Sequence, residues 1–139
     1  MAPEVFLDTS FAVALTVASD RHHTQALALA DEAVPARAKL VTTAAVVLEI
    51  GNSLARARYR GSAVDVLTSL RIDPRVEIVP LTDDLLTDAF ERYRARRDKE
   101  WGLTDCVSFL VMERRGLVDV LSADDHFRQA GFRPLMLPH

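Results

Sequence analysis

Four acidic side chains in this sequence stand in or beside strongly apolar segments, where an unpaired carboxylate is costly to bury. These residues are Asp8, Glu49, Asp105 and Asp124. Carboxylates that gather in one place repel one another, and a hard divalent cation such as Mg²⁺ or Mn²⁺ supplies the counter-charge through oxygen ligands. A water activated by one or two such ions can attack a phosphodiester bond. The chemistry that these residues indicate is therefore metal-dependent hydrolysis.

Strands and helices alternate along the chain, and this alternation predicts where the acids lie. Short apolar runs predict strands over 5–7, 39–42, 76–79, 119–121 and, at an edge, 133–137. Longer segments between them predict helices over 11–18, 23–33, 44–58 with a break near Gly61, 63–70, 82–97 and 103–115, and a short helix within 122–127. Such spacing indicates an α/β fold, with a parallel sheet that helices cover on both faces.

The predicted parallel sheet brings the acids together, because the carboxyl ends of its strands meet at one rim. Asp8 and Asp124 follow strands, and Asp105 lies in the first turn of a helix that opens on the same rim. Each acid also has an ordinary explanation: Asp8 as a helix cap, Glu49 as a solvent-facing helix residue, and the other two as first-turn and turn acids. Four such coincidences at one rim are improbable, and this favours a shared functional site formed by the four acids.

Other familiar sites find no support in the sequence. The five glycines include no G-x-G pair and no P-loop, and no G-x-S-x-G segment is present. A phosphoacceptor site of the receiver type would need a lysine after a late strand, and the late strands have none. The single Cys106 excludes an internal disulfide, and we expect it to be a small core residue.

The segments around the four acids resemble the acidic motifs of PIN domains, and more narrowly the VapC-type ribonuclease toxins of bacterial VapBC toxin–antitoxin pairs. The segments, in family order, are LDTS at 7–10, VLEIGN at 47–52, DKEWGLTDCVSF at 98–109 and SADDHF at 122–127. The third segment is a specific signal by itself, whereas D-T-S alone is weak. The resemblance implies a three-layer α/β/α sandwich around a five-stranded parallel sheet, which agrees with the alternation of elements.

The resemblance also implies an activity and a set of roles. It implies Mg²⁺- or Mn²⁺-dependent endonucleolytic cleavage of RNA by Asp8, Glu49, Asp105 and Asp124. The three aspartates would contact metal directly or through water, and Glu49 would ligate metal or orient the attacking water. Asp124 takes the fourth place rather than Asp125, which remains a weaker candidate, because the family pattern has an acid two residues before His-Phe. A VapB-like antitoxin and a homodimer are the implied protein partners.

Polar neighbours of the acids are candidate supporting residues. Ser10 could bind water or phosphate, or cap a helix, and Thr104 is expected to cap its helix. Ser108 lies one turn from Asp105 and could orient that carboxylate, as Asn52 could for Glu49, although Asn52 could also be simply exposed. We expect the three aromatic residues beside the motifs, Trp101, Phe109 and Phe127, to pack in the core rather than stack on bases.

The basic residues are the candidates for holding RNA. The net charge of −3 argues mildly against a nucleic-acid partner, but it counts the site carboxylates as surface charge. Arginine suits bidentate contact with phosphate. The candidates lie in two clusters and are Arg56, Arg58, Arg60, Arg94 and Arg97. The first cluster is predicted to extend the helix that carries Glu49 and the second leads into Asp105, although a solvated arginine-rich helix face is an equal alternative.

The length and composition bound the remaining possibilities. With 139 residues, 49% hydrophobic and 27% charged, residues 1–139 are expected to form one nuclease domain without disorder. The N-terminus resembles no signal segment, and no apolar run is long enough to span a membrane, so we expect a cytoplasmic protein. Two other functions stay open: a non-catalytic PIN-like module that binds RNA or protein, and a nuclease that acts on DNA. The presence of all four acids argues against the first.

Overall fold

Five parallel strands form the centre of the computed structural model, which describes residues 3–138. In chain order the strands are β1 (Glu4–Leu7), β2 (Lys39–Thr43), β3 (Val76–Val79), β4 (Asp119–Leu121) and β5 (Arg133–Pro134). Their order across the sheet is β3-β2-β1-β4-β5, and every neighbouring pair is parallel. The predicted parallel sheet is therefore confirmed. Met1, Ala2 and His139, at the ends of the predicted 1–139 domain, lie outside the described residues.

Seven helices connect and cover the strands in this part of the chain. They are α1 (Thr9–Thr16), α2 (His23–Ala36), α3 (Ala44–Ser53), α4 (Ala57–Ile72), α5 (Asp83–Ala95), α6 (Leu103–Arg115) and α7 (Asp125–Gln129). As predicted, Thr82 caps α5, and α6 ends at Gly116, which has a left-handed backbone with φ of 66°. Over residues 3–138, no helix combines the length and apolar character that crossing a membrane requires.

The two faces of the sheet carry different groups of helices. On one face, Leu7, Leu40 and Leu121 point toward α1, α2 and α4, whose apolar side chains line the same space. On the other face, Phe6 packs against Phe127 of α7, which meets Phe109 of α6 edge to face with ring centroids 5.2 Å apart. Helix α5 packs on the outside of α6. The arrangement is the three-layer α/β/α sandwich that the sequence predicted.

Several predicted boundaries differ from the structure, and two of the differences have a clear physical reason. The break expected near Gly61 lies at 54–56 instead, and Gly61 is an exposed residue inside α4. Helix α3 ends where the Leu54 side chain, which is 1% exposed, is buried in the core, and the chain turns before Arg56. A glycine inside a helix costs about 1 kcal/mol, which is less than the burial of Leu54 contributes, so α4 continues through Gly61. The strand expected over 133–137 is shorter, because the Leu137 N–H donates to the Pro134 carbonyl and turns the chain.

The carboxyl ends of β1, β2 and β4 form the rim at which the acids meet. Helices α1 and α3 begin immediately after β1 and β2, so the first turn of each helix lies at this rim. The Thr42 hydroxyl donates to the Leu7 carbonyl at 2.8 Å, and the Asp8 N–H donates to the Leu121 carbonyl at 3.2 Å. These bonds hold the ends of the three central strands in register beneath the rim.

Candidate active site

Asp8 is the most buried acid of the rim, with 4% of its surface exposed. It is the residue that caps α1, and its Oδ2 accepts hydrogen bonds from the Ser10 hydroxyl at 3.1 Å and the Ser122 hydroxyl at 2.7 Å. Burial raises the pKa of Asp8 to about 6, the negative charge of Asp105 adds to this rise, and the two hydroxyl groups oppose it. The fold thus holds a carboxylate in a place that disfavours its charge.

Two serines connect Asp8 to the loop after β4. The hydroxyl oxygens of Ser10 and Ser122 lie 3.1 Å apart. The Ala123 N–H donates to Ser10 Oγ at 3.0 Å, and the Asp124 N–H donates to Ser122 Oγ at 3.0 Å. Each hydroxyl therefore accepts from the backbone of the loop and also contacts the Asp8 carboxylate. Ser10 is the second residue of α1 and not its cap, because Asp8 has that position.

Glu49 reaches the same cleft from α3. Its Oε1 accepts a hydrogen bond of 2.5 Å from the hydroxyl of Thr9, the first residue of α1. Charge-assisted hydrogen bonds of this length are strong and fix the carboxylate in one orientation. The solvent-facing alternative for Glu49 is wrong: the residue is half-buried and faces the acids.

Asp105 stands in the first turn of α6, and its carboxylate has two partners. Its Oδ2 accepts from the Gly102 N–H at 3.0 Å, as in one half of a capping box, and lies 3.0 Å from Nδ1 of His126. Burial raises the pKa of Asp105, and the charge of Asp124 adds to the rise, while the bonds from Gly102 and His126 lower it. Asp105 is thus a second acid whose environment opposes its charge.

Asp124 caps the short helix α7. Its Oδ1 accepts from the His126 N–H at 2.9 Å and lies 3.3 Å from Nδ1 of the same histidine. The ordinary roles predicted for Asp8 as a helix cap and for Asp105 as a first-turn acid are therefore real, and Asp124, predicted as a turn acid, caps a helix. These roles coexist with a common site. Three helix N-termini meet here, and their dipoles favour negative charge.

The four predicted acids line one cleft with a volume of about 270 Å³. Its wall comprises Asp8, Glu49, Asp105 and Asp124 together with Thr9, Ser10, Val13, Asp20, His22, Ser53 and Ala123. The carboxylate oxygens of Asp105 and Asp124 and a ring nitrogen of His126 all lie within 4.8 Å of one another. A concentration of carboxylates with raised pKa values suits a divalent cation, because the ion relieves the repulsion that opposes their charge. The donor set therefore fits a hard metal ion.

The predicted supporting roles of Thr104, Ser108 and Asn52 have different outcomes in the structure. Gly102, not Thr104, caps α6, because the Asp105 side chain satisfies the Gly102 N–H. The prediction that Ser108 orients Asp105 was wrong, because its buried hydroxyl donates to the Thr104 carbonyl at 3.1 Å. Asn52 is exposed and lines a neighbouring groove beside Glu49, so its support of that acid stays a prediction.

Asp125 lies outside the cleft, and the residues predicted to pack in the core do so. Asp125 is exposed, lies 3.6 Å from Arg128 and is absent from the wall of the cleft. Cys106 is buried, as expected. Trp101 packs edge to face on Phe109, with ring centroids 5.0 Å apart, so the packing role predicted for these aromatic residues is confirmed.

The arginine clusters differ from their predicted placement. Arg56, Arg58 and Arg60 do not extend the Glu49 helix, because α3 ends at Ser53 and they lie at the start of α4. Arg60 donates to the Ala55 carbonyl, and Arg58 lies over the Tyr59 ring. In the second cluster, Arg94 pairs with Glu91 at 2.5 Å, whereas Arg97 has no ion pair with any residue that the structure describes. Binding of RNA by these arginines stays a prediction.

Several contributors to the cleft, Ser53 among them, were not singled out as site residues from the sequence. Thr9, Ser122, Asp20 and His22 line the cleft or bond its acids. Thr9 adjoins Asp8 and Ser122 opens the last motif, so adjacency to a predicted acid could have indicated both. Asp20 and His22 lie in the segment between α1 and α2, and the sequence around them carries no motif that points to the cleft.

Comparisons with known proteins agree with this geometry. The PIN domain family model matches residues 5–133. The chain is 30% identical over 128 residues to the 23S rRNA-specific endonuclease VapC20 of Mycobacterium tuberculosis, a match that covers 92% of this chain and 95% of VapC20. The crystal structure of that VapC20, described as a sarcin–ricin loop cleaving toxin, aligns with a TM-score of 0.83 over 93% of this chain and 96% of VapC20 at 29% identity.

The chain therefore belongs to the PIN domain family, the class of nuclease that its sheet order and acidic cleft define. Within that family it is a VapC-type endoribonuclease toxin. The resemblance seen in the four acidic motifs is confirmed.

Proposed function

We propose that this chain is the toxin of a type II toxin–antitoxin pair and that its hydrolysis of RNA phosphodiester bonds requires Mg²⁺ or Mn²⁺. The observation that carries the proposal is the convergence of Asp8, Glu49, Asp105 and Asp124 on one cleft in which two of the acids have raised pKa values. When bound, the divalent ion supplies an activated water and neutralises negative charge on the phosphate. One or two ions would satisfy this donor set.

The position of each residue in the cleft indicates its proposed role. Asp8, Asp105 and Asp124 would hold the metal, since their carboxylates line one cleft at the ends of β1 and β4 and at the start of α6. Glu49 orients the attacking water and accepts its proton, and the Thr9 hydroxyl keeps its Oε1 in place. The serines at positions 10 and 122 hold Asp8 against the loop that carries Asp124. Each acid thus has a partner that fixes its orientation before the substrate binds.

The relatives suggest a first substrate to test. VapC20 is named a 23S rRNA-specific endonuclease and a sarcin–ricin loop cleaving toxin. At about 30% identity over most of both chains, this chain is proposed to cleave structured ribosomal RNA, with that loop as the first candidate. DNA cleavage and non-catalytic binding are the competing functions. The quartet supports catalysis, and the ribosomal specificity of the relative supports RNA.

An antitoxin is proposed to occupy an apolar groove among α1, α2 and α4. The groove has a volume of about 360 Å³, and its apolar wall includes Phe11, Leu15, Val66 and Leu70. An amphipathic helix of a small partner fits such a surface, and a following basic tail would reach the carboxylates around Asp8. Leu15→Arg is expected to abolish co-purification with the co-expressed antitoxin while RNA cleavage persists. Retained co-purification would contradict this docking surface.

A homodimer is proposed to form across a second apolar surface beside the cleft. The surface, formed by α3, α5 and α6, exposes Leu48, Leu86, Phe90, Tyr93 and Leu103 by 37 to 65%. Leu103 joins its two parts, because it lines both the groove at Leu48 and the groove at Phe90. Exposed apolar patches of this kind mark protein interfaces.

Sedimentation of a charged variant tests the dimer. Phe90→Glu should convert a dimer to a monomer, whereas Val118→Glu, at an exposed apolar residue that immediately precedes β4 and lies outside this surface, should not. A monomeric wild-type protein would contradict the dimer and leave the nuclease assignment intact.

The nuclease proposal is tested on total RNA. Purified protein is incubated with total RNA and with single- and double-stranded DNA, in Mg²⁺ and in EDTA, and new 5′ ends are mapped. We expect discrete new ends in RNA with Mg²⁺ and none in EDTA or in DNA. Equal cleavage in EDTA would contradict the metal requirement, preferential cleavage of DNA would favour the DNA nuclease, and intact RNA would favour the binding module.

A further inference from the structure

The imidazole of His126 lies beside two of the four acids, Asp105 and Asp124. Its Nδ1 is 3.0 Å from Oδ2 of Asp105 and 3.3 Å from Oδ1 of Asp124. Ligand atoms of the three residues all lie within 4.8 Å of one another. The ring therefore places a nitrogen atom close to two of the carboxylates that are proposed to hold the metal.

The separations are those of neighbouring ligands of a single ion. An octahedral Mg²⁺ or Mn²⁺ with ligands at about 2.1 Å places adjacent ligand atoms about 3 Å apart and opposite ones about 4.2 Å apart. The contacts of His126 with Asp105 and Asp124 match the adjacent spacing. Small movements of the three side chains would therefore suffice to place them around one ion.

The position of the ring is fixed by the helix that carries it. Asp124 caps α7, and its Oδ1 accepts from the backbone N–H of His126, so cap and ring are held as one unit. The side chain is 27% exposed, so the ring is partly accessible to solvent and to small ions. Phe127, the next residue, is fully buried against Phe6 and Phe109 and anchors the turn.

We propose that Nδ1 of His126 is a protein ligand of the catalytic metal, beside Asp105 and Asp124, and that this nitrogen makes the site prefer Mn²⁺ over Mg²⁺. The proposal rests on the proposed metal-dependent activity and adds a fifth residue to the acidic quartet. Nδ1 binds the ion in the neutral tautomer that carries its hydrogen on Nε2. Imidazole nitrogen favours transition-metal ions, whereas Mg²⁺ prefers oxygen ligands, so the predicted preference follows from ligand chemistry.

The competing role for His126 is that of a positioning residue, whose Nδ1–H donates to Asp105 and never meets the metal. The substitution His126→Asn separates the two roles, because the asparagine amide can place a donor near the position of Nδ1 but offers no imidazole nitrogen. His22→Gln is the matched control, since His22 lines the same cleft. Melting curves in EDTA establish that both variants are folded.

Pulsed electron paramagnetic resonance of the Mn²⁺-loaded protein tests the ligand directly, without a cleavage assay. We expect hyperfine coupling from a directly bonded ¹⁴N nucleus in the wild-type protein and in His22→Gln, and its loss in His126→Asn. Titration should show about a tenfold loss of Mn²⁺ affinity in His126→Asn, with a smaller loss for Mg²⁺.

The other outcomes overturn the proposal in distinguishable ways. Bound Mn²⁺ without nitrogen coupling would reject His126 as a ligand and leave the metal-dependent nuclease standing. Loss of the coupling in His22→Gln, with retention in His126→Asn, would assign the nitrogen to His22 instead. Absence of any Mn²⁺ binding to the wild-type protein would overturn both this proposal and the proposed metal requirement.

Discussion

The hydroxyl of Ser122 donates a hydrogen bond of 2.7 Å to Oδ2 of Asp8, across 114 residues of sequence. The same hydroxyl accepts the Asp124 N–H, so a single side chain holds both the carboxylate after β1 and the loop after β4. Ser122 is fully buried. Together with the parallel bridge through Ser10, this oxygen atom helps to fix the relative position of two proposed metal ligands.

Substitution Ser122→Ala should weaken metal binding and destabilise the fold. The change removes one of the hydrogen bonds to the buried Asp8 carboxylate, which keeps the Ser10 hydroxyl as a partner, and it leaves the Asp124 N–H without its partner. The expected cost is about 1–3 kcal/mol in the free energy of unfolding. Ser108→Ala is the matched control, because Ser108 is equally buried but bonds only within α6. Calorimetric titration with Mn²⁺ should show weaker binding for Ser122→Ala only. Equal affinities in the two variants would contradict the role of Ser122.

Substitution Asp8→Asn should abolish cleavage and yet stabilise the metal-free protein at neutral pH. The pKa of Asp8 rises from 3.8 to about 6 on folding, so between these values the folded state holds a proton that the unfolded state has released. Stability therefore falls as pH rises from about 4 to about 6, by up to about 3 kcal/mol at 1.36 kcal/mol per pKa unit. Asparagine carries no charge and avoids this loss.

Urea denaturation in EDTA at pH 4 and pH 7.5 measures the effect. The Asp8→Asn variant should exceed the wild type at pH 7.5, and the difference should shrink at pH 4. Asp98→Asn serves as the control, because Asp98 is exposed and its bond from Arg96 lowers its pKa to about 2, so its removal should not stabilise the protein. An Asp8→Asn variant that is less stable than the wild type at pH 7.5 would refute the prediction.

Substitution Thr9→Val should slow the chemical step without preventing folding. Valine has nearly the same shape but leaves Oε1 of Glu49 without its 2.5 Å hydrogen bond, so the carboxylate can leave the orientation that directs the attacking water. We expect kcat to fall about tenfold, with KM little changed and activity retained in Thr9→Ser. Thr16→Val, whose hydroxyl bonds only to the Ala12 carbonyl of its own helix, is the control. A matching loss in both valine variants would argue against this role.

Substitution Arg97→Gln should weaken RNA binding more than Arg94→Gln. Arg94 is paired with Glu91, whereas Arg97 has no ion pair within residues 3–138, so its charge is available to phosphate. Loss of one phosphate contact reduces the slope of log affinity against log salt concentration by about one. Salt titrations of binding, monitored by fluorescence anisotropy in Mg²⁺ with the inactive Asp105→Asn background, give this slope. Identical slopes in the two variants would count against Arg97.

The fold and the acidic quartet could be predicted because both leave strong local signals. Alternating apolar runs define the parallel sheet, and the acids are conspicuous because their neighbours, such as Leu7 before Asp8 and Ile50 after Glu49, are apolar. The parallel topology then dictates that residues following strands share a rim. Residue type, neighbours and chain order therefore indicated a shared acidic rim, and the resemblance to the family's motifs selected Asp124 rather than Asp125, with no knowledge of side-chain contacts.

The partners of the acids could not be predicted, because they depend on how elements pack. The contact between Thr9 and Glu49 joins α1 to α3 across 40 residues, and the sequence shows only an ordinary threonine. The preference of threonine for helix N-caps predicted Thr104 as the cap of α6, and this was wrong. Gly102 is the cap, because the Asp105 side chain accepts a hydrogen bond from the Gly102 N–H. The true end of α3 is set by burial of Leu54, whereas Gly61 was the stronger local signal.

Metal-dependent catalysis by the acidic cleft is tested by a matched pair of variants, assayed for cleavage of a ribosomal RNA fragment that contains the sarcin–ricin loop. Asp124 lines the cleft, and its neighbour Asp125 is exposed beside Arg128. We expect discrete cleavage by the wild type and by Asp125→Asn in Mn²⁺, with none in EDTA and none by a folded Asp124→Asn. Undiminished cleavage in EDTA, or by Asp124→Asn, would contradict it.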